Sequence, residues 1–317
     1  MRKFLLTAFA ITCFLIAGCS SSKAIPYHFA DRKEAMDCYR SNMDYFNGIG
    51  PRDIQYKTQD INGSEAELAV FGAEQMMDFT DDEKKGIDKI MEEIENDLKK
   101  NHYTIPHLDE VTFIKSTQKE ESDSGAYTHG TQIYIAQEWV DAICSDNVEY
   151  HIEGKYMIWH ELFHCLTRSN PDFRKKMYSI IGFTVQDKDF ELPPSVYEIY
   201  ISNPDVEHHN AYATFNIDGE MIDCYMVLIA TKPFEKEGDS FFDCMEGVLV
   251  PTDGSDKYYT IDEASNFWDL FGRNTDYVTD PEECMADNFS FAMTFGKVSR
   301  EYNNPEIIDA ILDEVSK

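Results

Sequence analysis

Hydrophobic side chains in the first half of the chain repeat first at the spacing of a helix and then at that of strands. Thr80-Asp81-Asp82-Glu83 is a capping box, whose two end side chains can satisfy free backbone N–H groups at a helix start. Apolar residues then recur every three or four positions to about residue 100, which predicts a helix with one buried face. The apolar patterns at 111–115 and 131–135 predict two strands.

The remainder of the chain mixes both patterns. Proline after Asn or Asp marks the start of three predicted helices, at Pro171, Pro281 and Pro305, and Asp218-Gly219 is a hairpin turn signal. The predicted elements are helices at 155–168, 171–182, 280–296 and from 304 onwards, a hairpin at 212–230 and a strand at 247–250. We therefore predict an α+β fold with a small mixed sheet, a β-rich insertion in the middle and a helical C-terminal lobe.

The N-terminus carries an export pattern. Arg2 and Lys3 precede an apolar stretch at 4–17 that is too short to span a membrane comfortably. Small residues then lead to Cys19, which three serines follow. This order resembles a bacterial lipobox, in which the cysteine is acylated and becomes the mature N-terminus. An ordinary secretory signal with an incidental cysteine is the alternative.

These patterns predict the domain boundaries and the location. We expect a signal peptide at 1–18, a lipidated tether at 19–30, an N-terminal lobe with the sheet and the apolar helix at 31–168, and a C-terminal lobe with the insertion at 169–317. A lipid on Cys19 would anchor the chain in the cell envelope, facing outside the cytoplasm. The residue directly after Cys19 is Ser20 and not an aspartate, which favours the outer membrane if the cell has two membranes.

The charge excludes one class of partner. The chain has 28 basic against 59 acidic residues, a net charge of −31, which repels phosphate backbones, so we expect no nucleic-acid partner. An even number of cysteines follows Cys19, which permits up to three disulfides in an exported protein. Their spacing does not fix the pairing: Cys38, Cys144, Cys165, Cys224, Cys244 and Cys284.

The apolar helix contains His160-Glu161-Leu162-Phe163-His164. Positions four apart lie on one face of a helix, so both imidazoles can bind one zinc ion while a further position stays open for water. Glu161, beside the first ligand, can accept a proton from that water. The alternative is a pair of core histidines whose hydrogen bonds are satisfied, but the apolar flanks would bury these polar groups, and a metal is a ready partner for them.

A third ligand is predicted on the helix that starts at Pro281. Glu283 and Asp287 share one face, so Glu283 could bind the metal while Asp287 orients a histidine. The alternative third ligands are Glu282, then His208 or His209. If no metal binds here, these acidic residues form an ordinary solvated first turn of the helix.

An HExxH motif with a downstream ExxxD resembles the gluzincin zinc metallopeptidases. The resemblance covers the helices around 155–168 and 280–296, and the stretch at 170–183 also resembles bacterial lipoproteins that carry the same helices. It implies a zincin-like fold with zinc held by His160, His164 and Glu283, and Glu161 as the general base. The 118 residues between His164 and Glu283 exceed the gap in thermolysin-like members.

Two weaker features concern the substrate. Residues 125–130 lead into the strand before the motif helix, where zincins pair an extended peptide with an edge strand; an ordinary buried strand fits equally well. Gluzincins also use a His or Tyr to stabilise the oxyanion. The candidates are His208, His209 and Tyr212, with His129, His151 and Tyr302 as weaker ones and a polar loop as the alternative.

Together these features predict a membrane-anchored, zinc-dependent peptidase that acts on a peptide or protein substrate. The alternative is a non-catalytic envelope lipoprotein of zincin fold that binds peptides or a protein partner.

Overall fold

The computed structural model describes residues 25–317, apart from the side chains of residues 44 and 47. The predicted signal peptide, Cys19 and most of the tether lie outside the described residues. The helices are Arg32–Ser41 (α1), Met43–Gly48 (α2), Pro51–Thr58 (α3), Glu65–Glu74 (α4), Asp81–Asn101 (α5), Gln137–Ile143 (α6), Val148–Ser169 (α7), Pro171–Ile180 (α8), Pro194–Tyr197 (α9), Phe267–Phe271 (α10), Pro281–Phe295 (α11) and Pro305–Val315 (α12).

The strands form two sheets. They are Tyr27–Phe29 (β1), Met76–Met77 (β2), Val111–Ser116 (β3), Ala126–His129 (β4), Gln132–Ile135 (β5), Thr184–Val185 (β6), Tyr200–Ile201 (β7), Ala211–Ile217 (β8), Glu220–Ala230 (β9), Met245–Pro251 (β10) and Tyr259–Thr260 (β11). The predicted α+β class is confirmed.

The first sheet has the order β1-β3-β5-β4, with β2 also paired to β3. Strands β1, β3 and β5 run parallel, whereas β4 is antiparallel to β5 and lies at the end of this order. Strand β3 is almost entirely buried, including the polar side chains of Lys115 and Ser116. Helix α7 packs against β4 and β5, so the sheet supports the helix that carries both motif histidines.

The second sheet, β11-β10-β9-β8-β6 with β7 on β9, is the predicted β-rich insertion. Its central hairpin turns at Asp218-Gly219, as predicted, because both residues have positive φ, 53° and 86°. Such a turn matches the right-handed twist of the two strands, and Gly219 adopts it without a side-chain clash.

Capping explains the helix bounds that matter for the site. Helix α7 begins at Val148, seven residues earlier than predicted, because the Asn147 side chain accepts a hydrogen bond from Glu149 N. It ends at Ser169, because Pro171 lies at the first position of α8. Asp280 caps α11 in the same way as Asn147 caps α7.

The N-terminal prediction needs a correction. Tyr27–Phe29 pairs in parallel with β3, so the residues from 27 onwards belong to the fold and not to a tether that extends to residue 30. The helices α1 to α4 were not predicted from the sequence. Helix α4 has no clear apolar stripe, because its buried residues include the small Gly72 and Ala73.

One hydrophobic cluster joins the two predicted lobes, since it includes Ile133 of the first sheet, Phe163 of α7, Phe215 of the second sheet and Phe289 of α11. The six cysteines of the described residues are all free thiols. In this part of the chain no helix is long and apolar enough to cross a membrane.

Candidate metal centre

Helices α7 and α11 pack against each other and bring the predicted ligands together. His160 and His164 lie one turn apart on α7, with their ring centroids 4.9 Å apart. Glu283 lies in the first turn of α11, where the helix dipole favours a carboxylate. The side chain of His160 is mostly buried, and those of His164 and Glu283 are almost completely buried.

The donor atoms converge at a spacing that suits a metal ion. The Oε2 atom of Glu283 lies 3.1 Å from His160 Nε2 and 3.7 Å from His164 Nε2. Ligand atoms on a tetrahedral zinc lie about 3.3 Å apart, given bonds of about 2.0 Å. His164 Nε2 is buried and has no hydrogen-bond partner among the described residues, so this atom needs a ligand. The three residues could therefore hold a metal ion.

The other nitrogen of each imidazole faces a carboxylate. His160 Nδ1 lies 3.0 Å from Asp287 Oδ1, the contact predicted from the ExxxD spacing. His164 Nδ1 lies 2.9 Å from Glu282 Oε1. These bonds fix both rings with Nε2 towards Glu283, and they strengthen the rings as ligands. Glu282, a rival third ligand in the sequence analysis, thus faces the far side of His164.

Further donors hold these two carboxylates in place. Thr167 donates to Glu282 at 2.6 Å, and Tyr178 donates to its second oxygen. Asp287 accepts hydrogen bonds from Tyr156 and Thr275. Such a network restricts the rotamers of the carboxylates, and through them the orientation of the imidazoles.

Electrostatics at this site favour a cation. Burial raises the pKa of Glu282, Glu283 and Asp287, but the hydrogen bonds and positive charges of the histidines, together with the other donors, lower the pKa overall. Burial lowers the pKa of His160, yet the Asp287 and Glu283 carboxylates raise it well above its usual range. The carboxylates thus stabilise positive charge between them, either as bound protons or as a metal ion.

Glu161, the predicted base, is buried beside this cluster. Its Oε2 accepts a hydrogen bond from the Thr128 hydroxyl of β4 at 2.7 Å. A donor atom each from Glu161, His164 and Asp205 lie within 4.8 Å of one another, which makes a second group that could hold an ion. Asp205 was not predicted; the aspartate lies in a loop of the insertion without any motif, so the sequence offered no signal for it.

The predicted oxyanion residues have their contacts elsewhere. His209 Nε2 lies 2.9 Å from the Tyr200 hydroxyl, and burial lowers the pKa of His209 to about 4. His208 pairs with Asp189 at the surface, and Tyr212 packs its ring on Phe190. Neither His208 nor His209 belongs to a group of the described residues that could hold a metal ion.

The three weaker candidates also bond away from the donor set. The remaining contacts are His151 with Glu93, Tyr302 with the carbonyls of Phe291 and Gly296, and the buried ring of His129 with Tyr45. The aromatic hydroxyl that does lie beside the ligands is Tyr277, whose ring stacks on His160 with centroids 6.1 Å apart. Tyr277 precedes α11 in a loop and was not predicted.

Comparison of the chain with protein-family models, with curated proteins and with solved structures finds no match.

Proposed function

We propose that the protein is a zinc-dependent peptidase of the gluzincin type with a zincin-like fold. The observation that carries this proposal is the convergence of His160 Nε2, His164 Nε2 and Glu283 Oε2, with a carboxylate behind each imidazole. Two histidines and one carboxylate form a ligand set typical of catalytic zinc, and leave one position open. The antiparallel strand β4 beside the motif helix further supports a zincin-like arrangement.

Residues of this chain would supply the general base and hold the metal ligands in position during hydrolysis. When bound, zinc would lower the pKa of a coordinated water and polarise the scissile carbonyl. Glu161 would take the proton at its carboxylate and return it to the leaving amine. Thr128 positions that carboxylate through its hydroxyl, while Asp287 and Glu282 keep the imidazoles in the tautomer that presents Nε2.

A second candidate is a non-catalytic envelope lipoprotein of zincin fold that binds peptides or a protein partner. The observation that favours it is the position of Asp205, whose Oδ1 lies 3.9 Å from His164 Nε2. A fourth protein ligand would make the metal site structural rather than catalytic.

The two candidates differ in one variant. Glu161→Gln keeps the size of the side chain and its bond to Thr128 but removes the base, so zinc content and melting temperature should stay near wild type. Peptide cleavage should fall by about 10²–10⁴-fold, measured on a broad peptide library because the specificity is open. Glu153→Gln, at an exposed position of the same helix, is the matched control. If wild type and Glu161→Gln both bind zinc and neither cleaves any peptide, the binding lipoprotein is correct.

The envelope location is also a proposal, since Cys19 lies outside the described residues. A lipid on Cys19 would hold the fold close to the membrane, because the six Cα–Cα steps from Cys19 to Ile25 can span at most about 22 Å. Cys19→Ala should abolish labelling by a radioactive fatty acid and leave the precursor unprocessed; continued labelling would contradict lipidation. Fractionation of a two-membraned host tests the outer-membrane location.

A further inference from the structure

We propose that residues 202–207, the cover segment, form an autoinhibitory latch that places the Asp205 carboxylate at the open position of the metal and covers the substrate-binding edge of β4. This inference rests on the proposed peptidase function and adds its regulation. The closed state described by the structure would be the resting state, and the segment would have to leave the cleft before a peptide could enter.

The first support is the placement of Asp205. Its side chain lies in the interior, within 4.8 Å of both Glu161 and His164 at the donor atoms. These are the base and a metal ligand, so Asp205 stands where the reacting groups have to meet. A carboxylate oxygen at 3.9 Å from the unpartnered His164 Nε2 can share a metal ion with it after a small movement.

The second support is that the cover segment occupies the hydrogen-bonding edge of β4. Asp205 Oδ1 accepts from Thr128 N at 2.6 Å, and Glu207 Oε1 accepts from Gly130 N at 2.7 Å. Arg168 donates to the Thr128 carbonyl at 2.9 Å. An extended peptide that added to β4 would need these same backbone groups. The cover segment and the substrate therefore compete for one edge.

Arg168 also clamps the cover segment itself. It extends from the end of α7, and its side chain is only 9% exposed. Its guanidinium donates to the Pro204 carbonyl at 3.0 Å and lies 3.2 Å from the Glu207 carboxylate. Asn203 adds a contact on the metal side, because its amide donates to the second oxygen of Glu283. The segment thus contacts Glu283 and β4, and it places Asp205 near Glu161 and His164.

The other end of the cover segment is held by a buried ion pair. Ser202 N donates to Asp53 at 2.8 Å, and Lys57 donates to the Ser202 hydroxyl at 2.9 Å. Lys57 is fully buried and also pairs with Glu121 at 2.7 Å. Helix α3 thus fixes the start of the segment, far along the chain from the motif helix. A buried ion pair of this kind fixes the position of the segment more than it adds to the stability of the fold.

The shape of the cover segment suits a compact plug. Asn203-Pro204-Asp205-Val206 is a β-turn closed by Val206 N on Asn203 O at 3.0 Å, and the Asn203 side chain accepts from Asp205 N at 2.9 Å. Cavities of about 430 and 650 Å³ lie on either side, and Val206, Glu207 and His208 line both. Movement of the segment would join these cavities into one cleft that reaches the end of α7 at Thr167 and Arg168.

The test measures access to the metal without relying on peptide cleavage. The mature chain is loaded with Co²⁺, whose visible absorption reports ligand exchange, and titrated with acetohydroxamate, a small chelating anion. If the latch is closed at least nine-tenths of the time, wild type should bind acetohydroxamate at least about tenfold more weakly than Asp205→Ala. Glu207→Ala should show a gain in the same direction, because it frees β4 without removing a group near the metal. Asp189→Ala, an aspartate on the rim of both cavities, is the matched control and should match wild type.

Each result bears on one proposal or the other. Equal acetohydroxamate affinity in wild type, Asp205→Ala and Glu207→Ala overturns the latch. Asp205→Asn keeps an acceptor for Thr128 N and serves if the alanine variant does not fold. If this variant binds no metal at all while its circular dichroism spectrum is unchanged, Asp205 is a permanent ligand and the latch is overturned; a metal affinity only moderately weaker than that of wild type is what a segment that closes over the metal predicts. If Asp205→Ala and Glu207→Ala gain acetohydroxamate affinity but these open variants cleave no peptide, the latch is supported and the peptidase is contradicted.

Discussion

Three acidic residues within one helix, α11, should contribute to metal affinity in a defined order. Glu283 offers the ligand oxygen, whereas Glu282 and Asp287 each hold one imidazole through Nδ1. Loss of such a supporting carboxylate typically weakens metal binding 10–100-fold, or about 1.4–2.7 kcal/mol. We expect Glu282→Gln and Asp287→Asn to lose this much. Glu283→Ala, which leaves two ligands, should lose at least about tenfold more.

The magnitude for Glu282 follows from its surroundings. The glutamine oxygen can still accept from His164 Nδ1 or from Thr167, so the variant keeps one neutral hydrogen bond and loses the charge that strengthens it. Competition with a chromophoric zinc chelator at fixed pH measures each affinity. Glu301→Gln, an exposed residue after α11, controls for the loss of one charge from a chain of net charge −31.

A different ranking would refute this assignment. If Glu282→Ala abolishes zinc binding while Glu283→Ala retains it, the ligand is Glu282 and His164 must turn its ring. If both supporting variants bind zinc as tightly as wild type, the contacts at His160 and His164 do not orient the imidazoles.

Three further results test the electrostatics and packing of the fold. Burial raises the pKa of Glu120 from 4.5 to about 7, so between these pH values the folded protein holds a proton that the unfolded chain releases, and wild-type stability falls as the pH rises. Glu120→Gln should therefore be more stable than wild type by up to about 3 kcal/mol at pH 8 and by little at pH 4.5, measured by urea unfolding with Glu153→Gln as the control. Gly72→Ala should cost about 1–3 kcal/mol, because the new Cβ would lie 2.3 Å from the Tyr39 ring, whereas Gly48→Ala meets no atom within 4 Å; equal thermal stabilities of the two variants would contradict the packing. Removal of metal should lower the melting temperature, by an amount worth about 4 kcal/mol when the free metal had been 1,000 times its Kd, and an unchanged melting curve after chelation would show that the folded state does not bind metal.

The helices that carry the ligands could be predicted because their signals are local. A capping residue, a proline at the first helical position and an apolar stripe lie within a few residues of one another, and they fix the start of α11 at Pro281 without reference to the rest of the chain. The same holds for the hairpin turn at Asp218-Gly219.

Choices that depend on the packing of distant segments could not be predicted. The spacing between Glu283 and Asp287 favoured Glu283 as the ligand, but the role of its neighbour Glu282, which faces Nδ1 of His164, depends on the way α11 packs on α7. Asp205 reaches the ligands from a loop whose position depends on α3 and β4, through Ser202 and Thr128. No periodicity or motif records these contacts, because each joins residues far apart in the chain.

The charges around the ligands connect the metal to the cover segment. Glu161 accepts a hydrogen bond from the Thr128 hydroxyl, and Asp205 accepts one from the Thr128 backbone N–H. Both donors are neutral, so they only partly compensate the two buried negative charges while the site lacks a cation. Burial raises the pKa of Asp205 well above its usual range; His164 and Arg168 oppose this shift, while the negative charges of Glu161 and Glu283 add to it. A divalent ion among these carboxylates reverses the balance, because the same burial then strengthens its attraction to Asp205. Metal should therefore favour the closed cover segment, and the closed segment should in turn retain the metal, since coupling between two binding events is reciprocal. A peptidase built in this way would keep its metal and cleave at a reduced rate until a competitor for β4 displaces residues 202–207.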